Sequence, residues 1–201
     1  MCFSCSTRES VPVPWVQTRG PYGGFIHCFA IEGNRILAGT EGSGIFLSTD
    51  NGISWNEVNS GLTNKNINCL VTSGTKILAG TKGGIFLSSD NGTSWKLIDP
   101  VFTNVFCFSL AVNGGNILAG TNDGIFLLTN NGTNWSVVHQ GLGIDVYSIV
   151  FSGTNIFTGT LDGGVFRSDD QGKSWHQVNN GLTNTHIYSL TVSDRTILAG
   201  A

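Results

Sequence analysis

Ser48-Thr49-Asp50-Asn51-Gly52-Ile53-Ser54-Trp55 decides the reading of this chain, because the pattern returns twice. It recurs as Ser88-Ser89-Asp90-Asn91-Gly92-Thr93-Ser94-Trp95 and as Ser168-Asp169-Asp170-Gln171-Gly172-Lys173-Ser174-Trp175. A further copy runs from Leu128 to Trp135; it has Leu128 for Ser and Asn130 for Asp but keeps Gly132 and Trp135. Trp15, Trp55, Trp95, Trp135 and Trp175 are spaced by 40 residues throughout, and Trp15 stands alone, with Pro12 and Pro14 where its turn should be. A fixed period of this size marks a solenoid, a propeller or an array.

Working outward, each pattern is preceded by GIFLS-like segments at Gly44–Ser48, Gly84–Ser88, Gly124–Leu128 and Gly164–Ser168. Before those come ILAGT-like segments beginning at Ile36, Ile77, Ile117, Ile156 and Ile197. Each unit thus holds four short β-rich runs between clusters of Gly, Asn, Asp and Ser, with no helical period. In the second unit the expected strands are Ile67–Ser73, Lys76–Thr81, Gly84–Ser89 and Ser94–Ile98. The links are too short for crossover helices, so neighbouring runs pair as antiparallel hairpins. A four-stranded meander of about 40 residues is one blade of a β-propeller. Such a blade must bury its faces against its neighbours. Gly39, Gly80, Gly120, Gly159 and Gly200 recur inside the second strand, where glycine is expected only if another blade comes close.

The fold class is therefore all-β, a propeller of four-stranded antiparallel blades. Blades are expected over 25–59, 67–99, 105–139 and 146–179. A fifth would be split between 187–201 and 1–18, closing the ring without free edges. The alternative is an open piece of a larger ring, whose edges promote self-association.

The turn pattern resembles the Asp-box or BNR repeat, S-x-D-x-G-x-[ST]-W, of sialidase-like, sortilin-like, xyloglucan hydrolase and photosystem assembly factor propellers. The resemblance covers about residues 34–201 and implies a propeller. It also implies an extracellular or envelope setting, although the N-terminus Met1-Cys2-Phe3-Ser4-Cys5 has no signal-peptide pattern. A sialidase resemblance would imply a cluster of arginines; Arg8, Arg19, Arg35, Arg167 and Arg195 show no such grouping. A glycosidase would need two facing carboxyls. Its candidates are Glu41, Asp123, Asp145 and Asp162, on loops too short to build a deep groove.

The box itself reads as turn chemistry. An Asp or Asn oxygen accepts N–H groups of its own turn, Gly takes a positive φ, and Trp folds over the loop. Ser48, Asp50, Gly52 and Trp55, with Ser88, Asp90, Gly92 and Trp95, fill these roles. So do Asn130, Gly132 and Trp135, and Ser168, Asp170, Gly172 and Trp175. Calcium wants about six or more oxygens, and one acid per turn falls short. No metal site and no cofactor is expected.

A ligand site is expected at the opposite mouth of the ring. The loops there carry Glu41, Lys82, Asp123, Asp162 and His186, and His27, Asn68, Phe108, Tyr147 and Tyr188 start the first strands. These positions vary among units that otherwise copy one another, and aromatics there can stack on a sugar or a peptide. The competing role is to plug the channel. The functional expectation is a non-catalytic binding or scaffold module for a protein or glycan. The alternatives are a glycoside hydrolase using mouth carboxylates and a repeat fragment that assembles with itself.

Bulk composition excludes some classes. A net charge of −3 and dispersed Lys and Arg give no reason to expect nucleic acid. No apolar run approaches the about 20 residues of a membrane helix. With 40% hydrophobic and 11% charged residues the chain is not a disordered one. Cys2 and Cys5 have the spacing of half a zinc site without its complement. Cys28 and Cys69 occupy a slot filled elsewhere by Ser109, Ser148 and Ser189, so they are expected to act as small buried side chains.

Overall fold

The computed structural model describes residues 3–4, 16–129, 134–139, 144–194 and 196–201, with 3–4, 128–129 and 134–139 as backbone only. Cys2, Cys5, Trp15, Asn130 and Gly132 lie outside the described residues, as does the side chain of Trp135.

Four four-stranded antiparallel sheets follow one another, each with its strands in chain order. Blade 1 comprises Ile26–Glu32, Arg35–Thr40, Ile45–Ser48 and Asn56–Glu57. Blade 2 comprises Ile67–Ser73, Lys76–Thr81, Gly84–Ser88 and Lys96–Leu97. Blade 3 comprises Cys107–Asn113, Asn116–Thr121, Gly124–Thr129 and Asn134–His139, and blade 4 Val146–Ser152, Asn155–Thr160, Val165–Ser168 and His176–Gln177. Ser189–Ser193 and Thr196–Gly200 then pair as a two-stranded sheet, and Phe3–Ser4 pairs with Val16–Gln17 as another. The chain folds as stacked β-propeller blades.

The fourth strand of blade 2 is shorter than its β-rich sequence suggests. The Ser94 N–H donates to Asp90 Oδ1 at 2.9 Å, and the Trp95 N–H donates to the Ser60 carbonyl of the preceding link at 2.8 Å. Both donors are thereby withdrawn from the sheet ladder. A 3₁₀ turn at Pro100–Phe102, capped by Asp99, also interrupts the expected loop between blades 2 and 3. It drives Phe102 into the core, edge-on to Phe126 with ring centroids 4.9 Å apart.

The core lies between blades. Leu37 and Ile45 of blade 1 pack with Leu70, Ile77, Phe86 and Trp95 of blade 2. Leu78 and Ile85 of blade 2 meet Cys107, Ile117 and Phe126 of blade 3, and the pattern repeats onward. The recurring second-strand glycine permits this closeness. A Cβ on Gly39 would lie 2.6 Å from Ile67 Cγ2, and one on Gly159 would lie 2.6 Å from Ile187 Cγ2. Burial pushes the Cys28 thiol up to about 12, and Cys69 stands beside Cys107 with sulfurs 3.9 Å apart. Cys28 and Cys69, both held in the thiol form, are poor nucleophiles and behave as packing groups.

Candidate binding surface

Antiparallel hairpins place alternate turns at opposite ends of the stack. The Asp-box turns, between third and fourth strands, occupy one end. Ser48 Oγ donates to Asp50 Oδ1 at 2.8 Å and accepts the Gly52 N–H at 2.8 Å. Asp50 also accepts the Ser54 N–H at 2.9 Å and the Ser54 hydroxyl at 2.6 Å. Asp90 and Asp170 repeat the arrangement with Ser94 and Ser174. The residue after each Asp takes a left-handed φ, of 59° at Asn51, 64° at Asn91 and 65° at Gln171. The serine hydroxyl and backbone N–H donors hold all three carboxyls at about 2. Their oxygens are thus committed to their own turns. Among the described residues, no group of three or more His, Cys, Asp or Glu is placed to hold a metal ion. Arg35, bonded to Asn91, and Arg167, bonded to Asn155 and Asp169, also sit at this end rather than at the mouth.

The opposite end gathers the mouth residues. Here the turn between second and third strands of each blade bonds back to the entry of its own first strand, as in Glu41 N–H to the Phe25 carbonyl and Lys82 N–H to that of Asn66. It also reaches the next blade: Gly44 N–H donates to the Lys65 carbonyl. Side chains tie adjacent blades further. Glu41 takes Lys82 Nζ at 3.1 Å and His27 Nε2 at 3.4 Å, and Asp162 takes His186 Nε2 at 2.8 Å. The Lys82 hydrogen bond and charge, with a smaller pull from His27, lower the Glu41 pKa. Asn68 Nδ2 donates to the Cys107 carbonyl of blade 3 at 2.9 Å. Asp123 is exposed on its turn, which its N–H fixes through Thr121 Oγ1.

A feature not legible in the sequence sets the aromatic row. The first strand of each of the four blades has a register shift near its start: Ile26 pairs with Thr40 but Cys28 with Gly39, leaving His27 as the extra residue. The same shift makes Asn68, Phe108 and Tyr147 the extra residues of their strands. A bulge of this kind leaves one residue out of the ladder and re-aims its side chain. Phe108 and Tyr147, on adjacent blades, stack with centroids 4.6 Å apart and planes at 22°. Tyr188 continues the row edge-on to Tyr147 at 5.6 Å. Partial burial, then Asp145 and Tyr188, raise the Tyr147 pKa. Exposed Phe25 and Phe106, one residue before their first strands, add apolar surface at the same end. Sequence reasoning passed over both, though they share a slot with Asn66, Asp145 and His186.

Comparison with known proteins agrees with this geometry. The BNR/Asp-box repeat family matches residues 46–57 and 166–177. The chain carries BNR/Asp-box repeats on a β-propeller fold. No curated protein matches it in sequence. Among solved structures, the extracellular domain of BT4673 from B. thetaiotaomicron is similar over 92% of this chain and 27% of that one, at 16% identity and TM-score 0.79. An ancestral GH74 enzyme is similar over 78% of this chain and 24% of its own, at 26% identity and TM-score 0.68. YCF48 from Cyanidioschyzon merolae is similar over 89% and 63%, at 15% identity and TM-score 0.65. The Asp-box array thus spans about a quarter of the first two of these relatives.

Proposed function

We propose that this Asp-box array is a non-catalytic binding module that recognises a protein or glycan at the mouth end, across the row Phe108, Tyr147 and Tyr188. The observation that carries the reading is the bulge, which takes Phe108 and Tyr147 out of the ladders of adjacent blades, where they stack on each other with Tyr188 edge-on beside them. Aromatic faces offer area to a sugar ring or an extended peptide, and the flanking His27, Glu41, Lys82, Asp162 and His186 supply a polar rim. A relative of this fold, YCF48, has been seen bound to the D1 peptide, which accords with peptide recognition on such a scaffold.

A second reading, a glycoside hydrolase, draws on the likeness to the GH74 enzyme and on the four mouth acids. Glu41 serves it poorly: paired with Lys82, it is held ionised, whereas a general acid needs a raised pKa. Probing glycan and peptide arrays with the chain, beside an assay for sugar release from xyloglucan, separates the two. Retention on an array that is lost in Tyr147→Ala, with no sugar released, supports binding; sugar release abolished by Glu41→Gln or Asp162→Asn overturns it.

A further inference from the structure

The mouth end divides into two sectors of different charge. Around the first strands of blades 1 and 2 the charges cancel. Glu41 holds Lys82 Nζ at 3.1 Å and His27 Nε2 at 3.4 Å, and Lys65 stands exposed on the link between the blades. Around blades 3 and 4 they do not. The stretches that link these blades or join their second and third strands are 99–107, 121–125, 139–147, 160–165 and 179–188. They contain no Lys or Arg, yet they carry Asp99, Asp123, Asp145 and Asp162. Asp99 spends an oxygen on the Val101 N–H of its own turn, and Asp162 holds His186. Asp123 and Asp145 have no hydrogen-bond donor and no cation on their carboxyls among the described residues.

The backbone sets these acids around the aromatic row. The Asn122 N–H donates to the Phe106 carbonyl at 3.1 Å, and the Phe106 N–H donates to Asn122 Oδ1 at 2.8 Å. The turn that carries Asp123 is thereby fastened two residues from Phe108. Asp145 precedes Tyr147 by two residues, and its carbonyl accepts the Leu161 N–H at 3.1 Å, which brings the Asp162 turn to the same strand entry. On the other side of that turn the Ile187 N–H donates to the Thr160 carbonyl at 2.9 Å, one residue before Tyr188. The charge of Asp145 reaches the Tyr147 ring, whose pKa it raises together with burial.

Aromatic faces and carboxylates attract the same sign of charge, because the face of a ring is the negative part of its quadrupole. On the basis that the aromatic row is the binding surface, we infer that its ligand is an extended peptide segment bearing arginine. A guanidinium stacks flat on a ring while its N–H fork pairs with a carboxylate, so one side chain satisfies both features of the sector. Exposed Phe106 offers apolar surface to the methylene stem of such a side chain. A neutral sugar can stack on the row but leaves the charge of Asp123 and Asp145 uncompensated. An acidic peptide or glycan is repelled.

Fluorescence anisotropy of the full chain with labelled arginine-containing peptides tests this, each beside a twin in which uncharged citrulline replaces arginine. Arginine peptides should bind and their twins should not. Binding should weaken as salt rises toward about 1 M, where the screening length falls to about 3 Å. Asp123→Asn and Asp145→Asn keep the side-chain shape and should each weaken binding about two- to fivefold, with unchanged circular dichroism. Asp169→Asn, at the Asp-box end, should leave it unchanged. Citrulline twins or neutral xyloglucan oligosaccharides that bind through Tyr147, indifferent to both Asp variants, overturn the inference and leave the aromatic row as the site. Arginine peptides that bind equally well to Tyr147→Ala overturn the row and the inference together. Failure of every arginine peptide to bind overturns the inference.

Discussion

Gly39 faces Ile67 across the joint between blades 1 and 2, so closely that a Cβ on the glycine would lie 2.6 Å from Ile67 Cγ2. Ile67 is itself fully buried, so it has no open space into which to retreat. Each second strand repeats a missing side chain for a packing reason, and the proposed binding surface rests on that: only tightly stacked blades bring Phe108 and Tyr147 within stacking distance.

Gly39→Ala should therefore destabilise the fold by about 1–3 kcal/mol through overpacking. Urea denaturation measures it, and a double-mutant cycle with Ile67→Ala should show coupling, because trimming the isoleucine makes the room that the new methyl needs.

Trp95 separates packing from turn chemistry. It is 2% exposed, and its Nε1 donates to the Val58 carbonyl of blade 1 at 2.8 Å. Trp55 instead is half-buried and donates to Gly52 of its own turn at 3.1 Å. Trp95→Ala should cost about 3–5 kcal/mol, and Trp55→Ala clearly less. Chemical denaturation of the two variants gives the comparison.

Acid should loosen the turns in a defined window. Asp50, Asp90 and Asp170 ionise at about 2 in the fold, against an ordinary 3.8. A depressed folded-state pKa adds stability that is present above the unfolded value and is lost as pH falls through the folded one. The melting temperature should stay flat above pH about 4 and drop between about 4 and 2. Replacing all three by Asn, which keeps an acceptor but no charge, should flatten that drop when thermal melts are followed across the range.

How much of this was written in the sequence differs by level. The blade order and the first and second strand bounds of blade 2 followed from Gly and Trp spacing, because packing between identical units fixes those residues. The Lys96–Leu97 strand came out shorter than its β-rich neighbourhood implied, since Ser94 and Trp95 spend their N–H groups on the turn and on the preceding link. The mouth residues were legible as varying positions, but not their sorting. His27, Glu41 and Lys82 turn out to bind one another, as do Asp162 and His186, which takes distances to see. The bulge under Phe108 and Tyr147 was equally hidden, because one unpaired residue leaves the alternation of a short strand looking ordinary.

The central claim is that recognition occurs at the aromatic row and not at the Asp-box end. Isothermal titration with a ligand taken from the arrays, comparing Tyr147→Ala with Lys173→Ala on the opposite end, tests it most directly. Tyr147→Ala should weaken binding by at least about tenfold, or about 1.4 kcal/mol, with the melting temperature little changed, while Lys173→Ala leaves affinity as it was. Affinity that survives loss of Tyr147 and falls with loss of Lys173 would contradict the account.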